Sequence, residues 1–314
     1  MNFDDIKNRI KAFVKEELFP LEPWILNCSW DEKLPKLNEL RKKVKDGGLW
    51  LPQVPKEYGG LGLSNTQHGE ISEILGTSPY GHYCFNCQAP DAGNMEILIE
   101  FGTKEQKEAY LYPLLAGDIR SCFAMTEPDY AGSNPVNMGT MAFKKDGHYI
   151  INGHKWFTTG FDGASFAIVM LITNPEASEA HKKASQVIVP INTPGLEFIR
   201  NIPIMGHAGN GWESHSEIKF HNVKVPLTNV LGGDGEGFTI AQKRLGPGRI
   251  HHCMRWMGIC ERSFDLMCQR AVSRELAHGK TLADKQTIQN WIAESRAEIT
   301  LSLSFIVPTC FKKW

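Results

Sequence analysis

From about residue 125 to residue 225 the chain has no helical period long enough to carry a strand across to a parallel neighbour, and this constrains the fold most. The stretch MAFKKDGHYIINGHKWFTT alternates short aromatic and β-branched runs, with Asp146-Gly147 and Asn152-Gly153 reading as hairpin turns. SFAIVMLIT, SQVIVPI, LEFIRNI and HSEIKFHNVKV continue the strand character. The expected middle domain is an antiparallel β domain.

On either side the period changes to that of helices. Phe3, Ile6, Ile10, Phe13, Val14 and Leu18 form one apolar stripe, with Lys7, Lys11 and Glu17 between them. A second helix is expected from Pro35, suited to a first turn, to Asp46, ended by Gly47-Gly48. A third lies within Thr66 to Leu75. Thr103 and Gln106 have the spacing of a capping box, and the helix that follows is expected to bend near Pro113. Helical spacing returns at Gly237 and again in DKQTIQNWIAESRAEI. The fold class is α+β: an N-terminal helical domain (1–120), the β domain (121–233), a partial C-terminal helical bundle (234–299) and a divergent tail (300–314) with little to pack against.

Composition narrows the classes of function. The 314 residues, 42% hydrophobic and 22% charged, are those of a globular chain with sizeable cores. With 34 Lys and Arg against 35 Asp and Glu, the net charge of -1 gives no strong field to draw in nucleic acid or an anionic membrane. No run reaches the roughly 18 apolar residues of a membrane span. The eight cysteines share no repeating spacing and read as reduced, buried thiols. MNFDDIKNRIKAFVKEEL lacks the apolar run of a secretory signal, and its acids argue against a mitochondrial presequence. Cytoplasm is the default location, with mitochondrion and peroxisome open.

Several motifs invite chemistry. Gly233-Asp234-Gly235-Glu236-Gly237 precedes a helix, but its G-x-G-x-G spacing after an antiparallel domain reads as a mobile interdomain linker, not a dinucleotide loop. Cys84 and Cys87 lack a second pair at zinc-finger spacing, so no metal is expected. His251 and His252 point about 100° apart on a helix, so at most one faces a given site; acid/base chemistry and a packed histidine are both open. In CFAMTEPDYAGSN, Thr126 and Ser133 flank a Pro-Asp-Tyr-Ala-Gly turn whose Gly132 lets backbone N–H groups approach an acceptor. It could cradle a carbonyl-rich ring or a phosphate, or simply link two domains.

CFAMTEPDYAGSN, INGHKWFTTG, LGGDGEGF and LGPGRIHH occur in that order on the helix, sheet, helix background. In this the chain resembles the acyl-CoA dehydrogenase family over about residues 1 to 299, and GPGRIHHCMRW is similar to its branch of family members 10 and 11. The resemblance implies an FAD enzyme that inserts an α,β double bond into a medium- or long-chain acyl-CoA in fatty acid β-oxidation. It implies an electron-transfer flavoprotein as redox partner and a homo-oligomer.

Carried residue by residue, the resemblance places Phe123, Met125, Thr126, Gly132 and Ser133 along the flavin and the thioester end of the substrate. Glu127 and Asp129 fix the turn. Phe157 stands where relatives place a flavin-facing Trp, Thr159 falls near the reactive N5 edge, and Lys155 holds the strand edge or meets solvent. Arg249 matches an arginine near the thioester and the catalytic carboxylate, a supporting and substrate-binding role. Gly248 stands where some relatives carry a catalytic Glu, so the carboxylate is expected beyond the point where the match stops, as in a C-terminally truncated member. Arg274 and Gln286 resemble cofactor-facing residues, although ELAHGKTLADKQ has Ala277 where Phe is usual. Two other readings remain: a non-catalytic acyl-CoA or fatty-acid binding protein, and an incomplete subunit.

Overall fold

The structure is a computed structural model that describes residues 1–309. It divides into two compact units, one of residues 1–28, 35–87 and 246 onward, the other of residues 29–34 and 88–245. Among the described residues no helix is long and apolar enough to cross a membrane.

The second unit is built on a seven-stranded sheet: β1 (Ser121–Ala124), β2 (Met141–Lys145), β3 (His148–Thr159), β4 (Phe166–Ile172), β5 (Ala184–Pro190), β6 (Leu196–Asn201) and β7 (His215–Pro226). The order is β1-β4-β2-β3-β7-β6, with β5 paired to β4. Most pairings are antiparallel, but β1 lies parallel to β4, from Ser121 against Phe166 to Ala124 against Val169. This corrects the all-antiparallel expectation. The return from β1 to β4 is made by the β2–β3 hairpin, so no helix is needed.

The two expected hairpin turns part company. Asp146 (φ 48°) and Gly147 (φ 73°) are both left-handed and close the β2–β3 hairpin. Asn152-Gly153 is not a turn, because β3 runs straight through it. A Cβ on Gly153 would sit 2.3 Å from Thr140 Oγ1, so the glycine serves close packing at a register shift. β4 is buried along its whole length, and with Tyr149, Ile151, Val187 and Phe220 it forms the core of the sheet. The helix Asp91–Phe101, unforeseen in the sequence, belongs to this unit. So does the segment capped reciprocally by Thr103 and Gln106, where a wide π turn over Lys107–Leu111 leads into the Pro113 turn. The glycine-rich linker is anchored rather than mobile: Asp234 binds Tyr149 and Lys144, and Gly235 N–H donates to Ser185 Oγ.

In the other unit, the first helix (Phe3–Phe13) is capped by Asn2 and buries Ile6 and Ile10. Helix Trp30–Asp46, whose start belongs to the β unit, begins at Trp30, not Pro35, because Ser29 and Glu32 form a Ser-x-x-Glu cap upstream; Pro35 lies inside the helix. The chain leaves it through left-handed Gly48. Helix Asn65–Gly76 starts at a Ser64–Gln67 capping box. One helix spans Gly237–Ser273, its residues up to 245 belonging to the β unit; a small hairpin follows at Glu275–Ala277 and Lys280–Thr281, and a last helix covers Gln286–Thr309. The expected tail is therefore helical as far as it is described, and Leu303 and Ile306 pack on Ile250 and Met254. Residues 310–314 of it lie outside the described residues. Of the cysteines, Cys84, Cys87 and Cys122 are buried as expected, whereas Cys28, Cys253 and Cys268 are half-buried and Cys260 is exposed. Cys310 lies outside the described residues.

Helices Asn65–Gly76 and Gly237–Ser273 touch backbone to backbone. A Cβ on Gly258 would sit 2.0 Å from Glu73 O, and one on Gly76 would sit 2.3 Å from Arg255 O. Gly258→Ala is expected to destabilise the fold by about 2–3 kcal/mol through overpacking. Gly248→Ala, with open space around it, should instead gain roughly 0.5–1 kcal/mol of helix propensity. Urea unfolding of the two variants checks the contrast.

Candidate active site

The site is organised where the chain leaves β1 and passes under β3. Lys155 reaches inward from β3 with its side chain wholly buried; Nζ donates to Met125 O (2.8 Å) and to Glu127 Oε1 (2.8 Å). This corrects the expectation that Lys155 holds the strand edge or meets solvent: β3 lies between β2 and β7, and inward-facing alternation along it leaves Lys155 no route out. The Glu127 carboxylate also accepts from the N–H groups of Gly139 (2.6 Å) and Thr140 (2.9 Å). One buried ion pair thus joins both ends of the loop 125–140.

The two charges respond differently to burial. It pushes Lys155 down to about 8 against the opposing pull of Glu127. Burial also raises Glu127, but Lys155 and the Gly139 and Thr140 contacts outweigh it and hold the carboxyl below its ordinary value.

Beside this pair, Thr126 is tied twice to Trp156: its Oγ1 donates to Trp156 O (2.7 Å), and Trp156 N–H donates to Thr126 O (3.0 Å). The hydroxyl proton is spent, so Thr126 Oγ1 offers only acceptor capacity. Phe157, the next residue, has φ 49° at a register shift between Lys155 and Thr158. A left-handed φ is costly for a bulky residue and is kept where surrounding structure imposes it. The bulge turns the ring outward, 41% exposed and edge-on to Trp156 at 5.0 Å.

Met125, Thr126 and Gly132 line a shallow recess with Tyr130 and Met138. A Cβ on Gly132 would come within 3.0 Å of Thr126 Cγ2. Ser133 lies exposed in the same loop. Thr159 Oγ1 contacts His215 Nδ1 at 2.9 Å, and burial with nearby His207 holds that ring below its ordinary value. Phe123 is half-buried under the Arg244 guanidinium, 4.1 Å from the ring centre, which Asn94 Oδ1 holds at 3.0 Å.

Of the expected residues, Phe123, Met125, Thr126, Gly132, Ser133, Phe157 and Thr159 belong to the β unit, and backbone and side-chain bonds bring Thr126 beside Trp156-Phe157. Arg249, Arg274 and Gln286 belong to the other unit, and all three are exposed. Gln286 Nε2 bonds Asn290 Oδ1, and the Arg274 carbonyl accepts from Leu282 N–H. The pairing of Glu127 with Lys155 and the cation on Phe123 escaped the sequence reading. The partners are far apart in the chain, and no spacing rule links them.

Family models match at residues 3–118 (acyl-CoA dehydrogenase, N-terminal domain), 122–223 (middle domain) and 235–307 (C-terminal domain). FadE2 of Mycobacterium tuberculosis, a protein of the same family name, is 46% identical over 312 residues, 94% of this chain and 73% of its own length. The chain belongs to the acyl-CoA dehydrogenase family. Mouse acyl-CoA dehydrogenase family member 10 is 43% identical over 303 residues, 93% of this chain but only 28% of that protein. The chain therefore spans under a third of that relative. A solved Mycobacterium abscessus structure bearing the family name superimposes with a TM-score of 0.92 at 36% identity, covering 98% of this chain and 79% of that one. The C-terminal family match runs to residue 307, past the position where the sequence resemblance is expected to stop.

Glu127 titrates below its ordinary 4.5 in the folded chain. The stability tied to its carboxylate is complete above that pH and is lost as pH falls through the lowered value. Glu127→Gln should therefore flatten the fall of stability on acidification below pH 4.5, read from urea midpoints. An acid limb of unchanged slope would contradict the assignment.

Proposed function

We propose that this acyl-CoA dehydrogenase family chain binds FAD against the Phe157 bulge and the Thr126 loop. We infer that it takes a medium- or long-chain acyl-CoA there for α,β-dehydrogenation in fatty acid β-oxidation. The observation that carries the reading is Phe157, an apolar ring turned outward at the expense of a left-handed backbone, next to a hydroxyl that can only accept. An isoalloxazine ring needs both an apolar wall and polar partners along its pyrimidine edge. When bound, FAD supplies the acceptor for the β-hydride.

The chain's own residues do the rest. Phe157 and Trp156 shield one face from water, and Thr126 Oγ1 accepts from an N–H at the polar edge. Phe123, Met125, Gly132 and Ser133 bound the thioester end, with Ser133 assigned to substrate, and Thr159 stands on the same strand as Phe157. Lys155 and Glu127 position these groups without touching ligand. Arg249 is assigned to substrate and to the support of the carboxylate that removes the α-proton; no residue of this site is assigned as that carboxylate. Arg274 and Gln286 are assigned to the cofactor. An electron-transfer flavoprotein is the assigned electron acceptor and self-association the assigned quaternary state.

The test is anaerobic. The protein is incubated with FAD, freed of excess and titrated with a saturated long-chain acyl-CoA. Retained flavin whose spectrum shifts or bleaches on titration is expected, and Phe157→Gly should weaken FAD retention roughly tenfold, about 1.4 kcal/mol. A colourless wild-type protein overturns the reading.

A further inference from the structure

A different group of side chains occupies the helical unit. His68, in helix Asn65–Gly76, meets His251, in helix Gly237–Ser273, with ring centres 4.3 Å apart and planes at 71°. His82, in the short helix Gly81–Cys84, completes the cluster. His68 and His82 are buried. His68 Nδ1, His82 Nε2 and His251 Nδ1 are all enclosed, and none has a hydrogen-bond partner among the described residues. No group of three or more His, Cys, Asp or Glu side chains among the described residues has the arrangement to hold an ion.

The charged surroundings are one-sided. Arg255 acts on His82 and donates to His252 Nδ1 at 3.1 Å. His252 acts on His82 as well. Cys87, whose thiol burial pushes up, faces Arg255, and Arg41 faces Cys84 and Cys87 while donating to Tyr83 O at 2.6 Å. The nearest carboxylates on these helices, Glu70, Glu73 and Glu261, form a separate group with Lys7 and Arg296. Among the described residues no carboxylate acts on the three histidines. A proton added to any of the rings would create a buried cation, beside Arg255 in the case of His82, with a new N–H donor and no acceptor waiting for it.

We propose that His68, His82 and His251 form an acid-sensitive latch: neutral and packed, they hold the Asn65–Gly76 helix against the Gly237–Ser273 helix, and proton uptake releases it. The latch stands on the helical unit alone and does not rest on the flavin reading. Burial holds all three rings below the ordinary 6.5, well below for His68 and His82, and down to about 4 for His251. The folded chain therefore binds fewer protons than the unfolded chain once pH drops below 6.5. Stability is full above that pH and falls as pH descends toward the folded values.

Two measurements test it. Urea unfolding of the wild-type chain from pH 8 to pH 5 should show the unfolding equilibrium rising below about pH 6.5, by up to tenfold per pH unit for each histidine. His68→Phe keeps a ring in place and should remove about one proton from that slope. Should this variant not fold, amide exchange of the wild-type protein decides. Between pH 7.5 and 5.5, corrected for intrinsic rates, protection in residues 65–76 should fall at least tenfold while β4 keeps its protection. A slope that is the same in wild type and His68→Phe, or protection lost equally in 65–76 and β4, overturns the latch.

Discussion

The buried Lys155–Glu127 pair is the constraint on which the candidate site depends. Desolvating two charges costs several kcal/mol, and such a pair is tolerated only where the remaining donors and acceptors are also met. Here they are: the ammonium holds Met125 O as well as the carboxylate, and the carboxylate holds the Gly139 and Thr140 amides. The result is a loop of fixed shape. Thr126 lies between the two residues the ammonium grips, and Trp156-Phe157 follows directly after it on β3. The residues expected to face a ligand carry little of the load that holds them in place.

What could be read in advance follows from how local each cause is. Asp146-Gly147 closes a hairpin because both residues accept a left-handed backbone, a property of the dipeptide. Thr103 and Gln106 cap reciprocally because their spacing alone allows it. Asn152-Gly153 carries the same turn signal and fails, since the cause there is Thr140, just ahead of β2, pressing on Gly153. The helix at Trp30 starts ahead of Pro35 because the Ser29–Glu32 cap, and not the proline, sets its first turn. The parallel β1–β4 pairing was invisible for the same reason as Gly153: it is decided by distant segments.

The site shows the same division. The motif residues Thr126, Gly132 and Phe157 are legible because their neighbours in sequence are also their neighbours in space. Lys155 lies within its motif, but its inward direction depends on the pleat of β3 and on a carboxylate 28 residues away. The left-handed Phe157 carries no sequence signature, and neither does the meeting of His68 with His251. The conformations that matter most to the proposed chemistry are thus ones that local propensity would not choose, as expected where tertiary structure overrides it.

The central claim is that the ion pair shapes the flavin site as a unit. A double-mutant cycle on FAD affinity, with Lys155→Met, Glu127→Gln and both together, tests it most directly. Each single change should weaken FAD binding by about tenfold, with the double variant no weaker than the worse single one, because either change already releases the loop. Singles that leave affinity unchanged, or effects that simply add, would contradict the account.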